Sequence, residues 1–157
     1  MKILIVYDSF FKNTEKIARQ LYESLSNSGT IDIKKVDEFS NADLDGVDLM
    51  ILGSPTRAFN PSPKMKTLIQ NMPVARGKSQ KFAAFDTRMN VEEVNNRFLT
   101  FMSKSFGYAA EKMAKKMLKK GYEQTGKNEW FYVADSEGPL KEGELERAVE
   151  WVEKMLI

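Results

Sequence analysis

Residues 2–21, KILIVYDSFFKNTEKIARQL, constrain the chain more than any other stretch. They open on an unbroken apolar run, Ile3-Leu4-Ile5-Val6-Tyr7, too short for a buried helix and rich in β-branched residues. Such a run is expected of a parallel strand covered on both faces. Polar turn residues follow from Asp8 to Thr14, and Ile17, Leu21 and Leu25 then repeat along one helical stripe. A strand passing through a hydroxyl-rich turn into a helix makes an anion site. The helix N-terminus offers unpaired N–H groups and the positive end of its dipole, and Ser9 and Thr14 add hydroxyls. The turn suits a phosphate that is bound and kept, not one that is transferred. The same residues also suit a plainer strand-to-helix turn in which Ser9 and Thr14 only cap the helix.

Composition narrows the chemistry. A length of 157 residues is expected to form one domain, 1–157, with a substantial core. The chain has no cysteine and no histidine. Disulfides and thiol chemistry are excluded, and so are the commonest general base and the commonest transition-metal ligand. Redox or transfer chemistry must therefore come from a bound cofactor. The net charge of +2 is too balanced to imply nucleic acid. No apolar stretch approaches membrane-spanning length and the chain enters a strand at once, so the expected setting is cytoplasmic, away from membranes.

Further strands are expected at 31–36, 48–53, 81–86 and 129–134. The second alternates, as at a sheet edge, and the last is uninterrupted. Ser54-Pro55-Thr56 ends the third, and 87–90 is read as the exit loop of the fourth. Helices are expected around Met65, Leu68, Ile69 and Met72, along Ala110, Met113, Ala114, Met117 and Leu118, and from Leu145 to Leu156, with a short helix within 91–106. Strands alternating with helices imply right-handed crossovers and a three-layer α/β sandwich. An apolar first strand and an alternating second suit a five-stranded parallel sheet of order 2-1-3-4-5 with helices on both faces. Ligands of such sheets sit beyond the strand carboxyl ends, between the first and third strands.

Three loops meet there: 8–14, 54–61 and 86–90. The first resembles the phosphate loop of the flavodoxin family, with Tyr7, Ser9, Thr14, Ala18 and Leu21 where that pattern wants them. Lys12 departs from it, because the family has Gly or another small residue there. Gly53-Ser54-Pro55-Thr56-Arg57 resembles the family's second loop, in a version similar to its quinone-reducing branch. Phe85-Asp86-Thr87-Arg88 resembles the third loop of small flavodoxin-like proteins. Phe131-Tyr132-Val133 and residues 137–145 are similar to their closing segment, and the continuous fifth strand to the short-chain form.

The resemblance implies a flavodoxin-like fold and non-covalent FMN. Ser9, Asn13 and Thr14 would hold the phosphate, within a loop that includes Phe10, Phe11 and Lys12. Thr56, Arg57, Asp86 and Thr87 would lie along the ring, in loops that include Ser54, Pro55, Ala58, Phe59 and Arg88. The function it implies is electron transfer to and from redox partner proteins by a monomer or weak dimer. NAD(P)H-dependent quinone reduction on the same fold, or a module that has lost FMN, are the alternatives. Two features depart from electron-carrying flavodoxins. The ring-flanking loops hold no Trp or Tyr, and the chain is slightly basic instead of acidic. Lys112, Lys115, Lys116, Lys119 and Lys120 crowd one helix, whose plainest reading is a solvated face.

Overall fold

The first strand lies inside the sheet, as its unbroken apolar run requires. A computed structural model describes residues 1–75 and 80–156. In it β1 (Lys2–Tyr7) pairs in parallel with β2 (Thr30–Lys35) on one side and β3 (Leu49–Pro55) on the other, Ile5 standing level with Ile33 and Ile51. Next comes β4 (Lys81–Met89). The fifth position is shared by two strands, β5 (Glu123–Gln124) beside the start of β4 and β6 (Glu129–Val133) beside its end. The order is therefore 2-1-3-4-5, all parallel, as expected from the sequence.

Alternate residues of β1 build opposite layers. Ile3, Ile5 and Tyr7 pack with Ile17, Leu21 and Leu25 of α1 (Asn13–Leu25) and with Ala148, Trp151 and Val152 of α5 (Glu144–Leu156). Leu4 and Val6 face the other way, onto Met65, Leu68 and Ile69 of α2 (Pro63–Asn71) and Met113, Ala114 and Met117 of the helix 109–119. Gly53 is demanded by packing, because a Cβ there would lie 2.2 Å from the Phe85 ring.

Two expectations need revision. The third strand continues through Ser54 and Pro55, which pair with Asp86 and Thr87. Pro55 is the last residue of the strand, and the next N–H, on Thr56, donates to the Thr87 carbonyl at 2.9 Å. The fourth strand runs on through 87–89, because β6 pairs with those residues and gives their backbone partners on the outer side. The strand expected at 129–134 is continuous, as β6, and a further short strand, β5, precedes it at the fifth position. Residues 125–128 separate the two, with Gly126 turning the chain at φ +67°. Within 91–106 the chain forms α3 (Arg97–Phe106), capped by Asn96, whose side-chain oxygen accepts from the N–H groups of Phe98 and Leu99. The next helix is α4 (Ala109–Lys119).

Candidate cofactor cleft

At the carboxyl ends of β1, β3 and β4 lies a cleft of about 430 Å³, within the usual size range for a small-molecule site. Its first wall is the turn after β1. Asp8 N–H donates to the Gly53 carbonyl at 3.0 Å, tying the ends of β1 and β3 together. Lys12 has φ +66°, the left-handed region, and α1 begins at the next residue. This conformation explains why a small residue, glycine above all, suits the position. The Ser9 hydroxyl accepts from Glu15 N–H at 3.3 Å, and Lys12 O accepts from Lys16 N–H at 3.0 Å. Among the described residues, no protein acceptor takes the N–H groups of Phe10, Phe11, Lys12, Asn13 or Thr14. Consecutive free donors at a helix start form an anion cradle. The Thr14 and Thr87 hydroxyls are 2.8 Å apart and buried. Each has one hydrogen, so one of the two remains able to donate outward. Asn13 Nδ2 donates to the Glu137 carbonyl at 3.1 Å, which leaves that side chain holding the closing segment.

The second wall is a strained turn. Arg57 and Asn60 exchange backbone hydrogen bonds of 2.9 and 3.0 Å, and the residues between them, Ala58 and Phe59, have φ +46° and +62°. Neither is glycine, so the turn carries strain of a kind that clusters at ligand sites. The Arg57 guanidinium lies 5.6 and 5.3 Å from the Phe10 and Phe11 ring centres, and its Nη1 donates to the Ser136 carbonyl at 3.5 Å. Arg57 thus bridges three loops. Thr56 has a positioning role: its hydroxyl accepts from Ala109 N–H at 3.2 Å.

The third wall rests on a buried ion pair. Arg88 Nε donates to Asp86 Oδ1 at 2.7 Å and its Nη2 to Oδ2 at 2.5 Å. Asp86, fully buried, also accepts from Ala110 N–H at 2.9 Å. The Arg88 guanidinium is sandwiched between rings, 3.7 Å from the centre of Tyr108 and 4.9 Å from that of Trp130. Burial disfavours its charge, but the Asp86 contacts outweigh burial and raise its pKa above the ordinary value. Tyr108 in turn meets Phe59 edge-on at 5.5 Å.

The cleft is lined by Ser9, Phe10, Phe11, Asn13, Thr14, Pro55, Thr56, Arg57, Ala58, Phe59, Thr87 and Arg88 of the residues singled out in the sequence. Lys12, Ser54 and Asp86 stand outside this lining. Lys12 is exposed beside the cradle. Ser54 is buried, donating to the Pro55 carbonyl and accepting from Ser62 N–H. Asp86 supports Arg88 from behind. Sequence reasoning missed Met89, Val91, Leu99, Tyr108, Val133 and Ser136. Tyr108 supplies a tyrosine where the three loops hold no Trp or Tyr, and an aromatic directly ahead of an apolar-striped helix was the available signal. The titratable lining groups are Arg57, Arg88 and Tyr108, so the cleft can hold an anion and a flat ring but offers no ordinary acid or base. Among the described residues, no cluster of carboxylates could hold a metal, and no helix is long and apolar enough to cross a membrane.

No family model matches the chain, and no curated protein matches it. Solved structures do. A flavodoxin from Streptococcus pneumoniae superposes with a TM-score of 0.75 at 16% identity, over 99% of this chain and 98% of that one. For flavodoxin 2 from Bacillus cereus the values are 0.71 and 20%, over 98% and 99%. Rubredoxin oxygen:oxidoreductase from Desulfovibrio gigas matches at 0.73 and 19%, over 98% of this chain but 35% of its own. At these identities the likeness establishes the flavodoxin-like fold.

Proposed function

We propose that the chain binds FMN non-covalently in this cleft and carries electrons to and from protein partners. The observation that carries the reading is the row of free N–H groups from Phe10 to Thr14 at the start of α1, where a phosphate dianion would meet converging donors. Ser9, Asn13 and the Thr14–Thr87 pair complete that end. Thr56, Arg57, Phe59, Arg88 and Tyr108 line the remainder, where a flavin ring would lie. Bound flavin supplies the redox chemistry. The protein orients it, shields it from water and sets the charge around it. The Arg57 guanidinium at the cleft favours reduced, anionic flavin, whereas the charge of Arg88 is balanced by Asp86. The protein works in the cytoplasm as a monomer or weak dimer, without nucleic acid.

Lys12 does not argue for a lost cofactor, because it adopts the left-handed conformation that glycine would. Quinone reduction is the runner-up, motivated by Pro55-Thr56-Arg57. A steady-state assay of NADPH oxidation with a quinone decides it, since a pure carrier shows almost none.

The direct test is colour: purified protein should show a flavin absorption spectrum, and colourless protein that takes up no added FMN would falsify the proposal. A titration then locates the phosphate. Thr14→Val keeps shape but removes a hydroxyl, and should weaken FMN by about 1.5–3 kcal/mol while sparing riboflavin. Equal losses for both ligands would place the phosphate elsewhere.

A further inference from the structure

On α4 the residues Lys112, Lys115, Lys116 and Lys119 follow the spacing i, i+3, i+4, i+7 and so form one stripe. It lies opposite the buried stripe Ala110, Met113, Ala114 and Met117. Lys66 of α2 joins it across a groove of about 340 Å³ floored by Pro61, Ile69 and Met113. Like charges at these spacings repel, and a merely solvated face would intersperse acids among them. Among the described residues none of these five lysines makes an ion pair. The neighbouring acid, Glu111, is turned to Arg88 and to Tyr108 N–H. Burial and then repulsion from Lys66 lower the pKa of Lys112.

The stripe is also joined to the cleft. Lys112 Nζ donates to Asn60 Oδ1 at 3.2 Å, and Asn60 closes the strained turn with Arg57. Whatever sits on the groove abuts the wall of the cofactor cleft.

We infer that this groove is the docking surface for an acidic protein partner, whose carboxylates meet the lysine stripe while apolar side chains reach the groove floor. The inference rests on the electron-carrier reading, which gives the chain a protein partner, and it adds the partner's charge and the face it meets. An acidic protein fits better than a small phosphate ligand. The stripe extends about 10 Å along the helix, longer than one phosphate group. Its cations are also flexible point charges, with no arginine fork among them to grip a phosphate. Charge complementarity of this kind speeds encounter and sets orientation.

The probe is a short fluorescent poly-L-glutamate peptide, titrated against FMN-reconstituted protein over a range of salt. The test variant combines Lys115→Glu, Lys116→Glu and Lys119→Glu. The control combines Lys81→Glu, Lys127→Glu and Lys154→Glu, with the same change in net charge. Peptide affinity should fall about tenfold or more in the test variant and by less than about threefold in the control. Its salt dependence should flatten only in the test variant. A milder set, Lys115→Gln, Lys116→Gln and Lys119→Gln, should fall between. Equal losses in test and control variants, or no peptide binding by the unaltered protein, would overturn the inference. So would displacement of the peptide by inorganic triphosphate or NADPH binding more tightly than it, which would mark a phosphate site. Flavin absorbance read in the same samples keeps the two readings apart. Absent flavin sinks the carrier proposal, whereas full flavin loading with no groove-specific peptide binding sinks only this one.

Discussion

Helices α3 and α4 follow one another, and both carry an apolar stripe, yet only that of α4 is buried. The stripe of α4 is buried from Ala110 to Met117. On α3 no residue is buried, and Phe98 and Phe101 are 67% and 64% exposed. The difference lies in how each begins. The first N–H groups of α4 are taken at the sheet's end, Ala109 by Thr56 just past β3 and Ala110 by Asp86 of β4, while Tyr108 stacks on Arg88. The first N–H groups of α3 are taken by its own neighbour Asn96. A locally capped helix forms without being told where to lie. A helix capped from the sheet's end is placed as it forms.

If that contrast is right, the largest effect belongs to the anchor. Asp86→Asn strips the buried Arg88 guanidinium of its paired carboxylate, leaving only the half-exposed Glu111 at 3.6 Å, and weakens the hold on α4. The expected loss is about 3–5 kcal/mol in urea unfolding, and a loss below about 1 kcal/mol would remove the anchor from the argument. Next come the two stripes. Met113→Ala, in the packed stripe, should cost about 2–5 kcal/mol, whereas Phe101→Ser on α3 should change stability by no more than about 0.5 kcal/mol. Similar losses at the two sites would break the comparison. A small gain, not a loss, is expected at Lys12, where the strain is in the backbone. Lys12→Gly should gain about 0.5–1 kcal/mol in thermal unfolding and leave FMN affinity level or higher. A large FMN-specific loss would show instead that the ammonium meets the phosphate.

How much was legible in the sequence follows the same division between local and distant causes. Strands β1 and β3 could be read because burial on both faces leaves a continuous apolar run, and α1 because its stripe keeps one period. The cradle could be read because Ser9 and Thr14 lie in one short turn. Residues 87–89 could not be read as strand, since what makes them strand is pairing with Phe131, Tyr132 and Val133 far along the chain. Tyr108 was missed for a related reason. Its place in the cleft depends on Arg88, which lies there because Asp86 holds it. The exposed face of α3 left no mark either, since an amphipathic period looks the same whether or not a neighbour covers it.

The ring sandwich around Arg88 has an optical consequence. The chain has two tryptophans, and they occupy unlike surroundings. Trp151 sits against Phe85 and Phe131 under the sheet, at 5.9 and 6.2 Å, and Trp130 covers the guanidinium at the wall of the cleft. A Trp151→Phe protein would keep a single indole beside the ligand site. Its emission would be quenched by a flavin arriving in the cleft, so occupancy could be followed by fluorescence on the protein itself, without a label. A Trp130→Phe protein would keep the other indole, which reports loss of the core. The chain thus contains separate intrinsic dyes for filling and for unfolding.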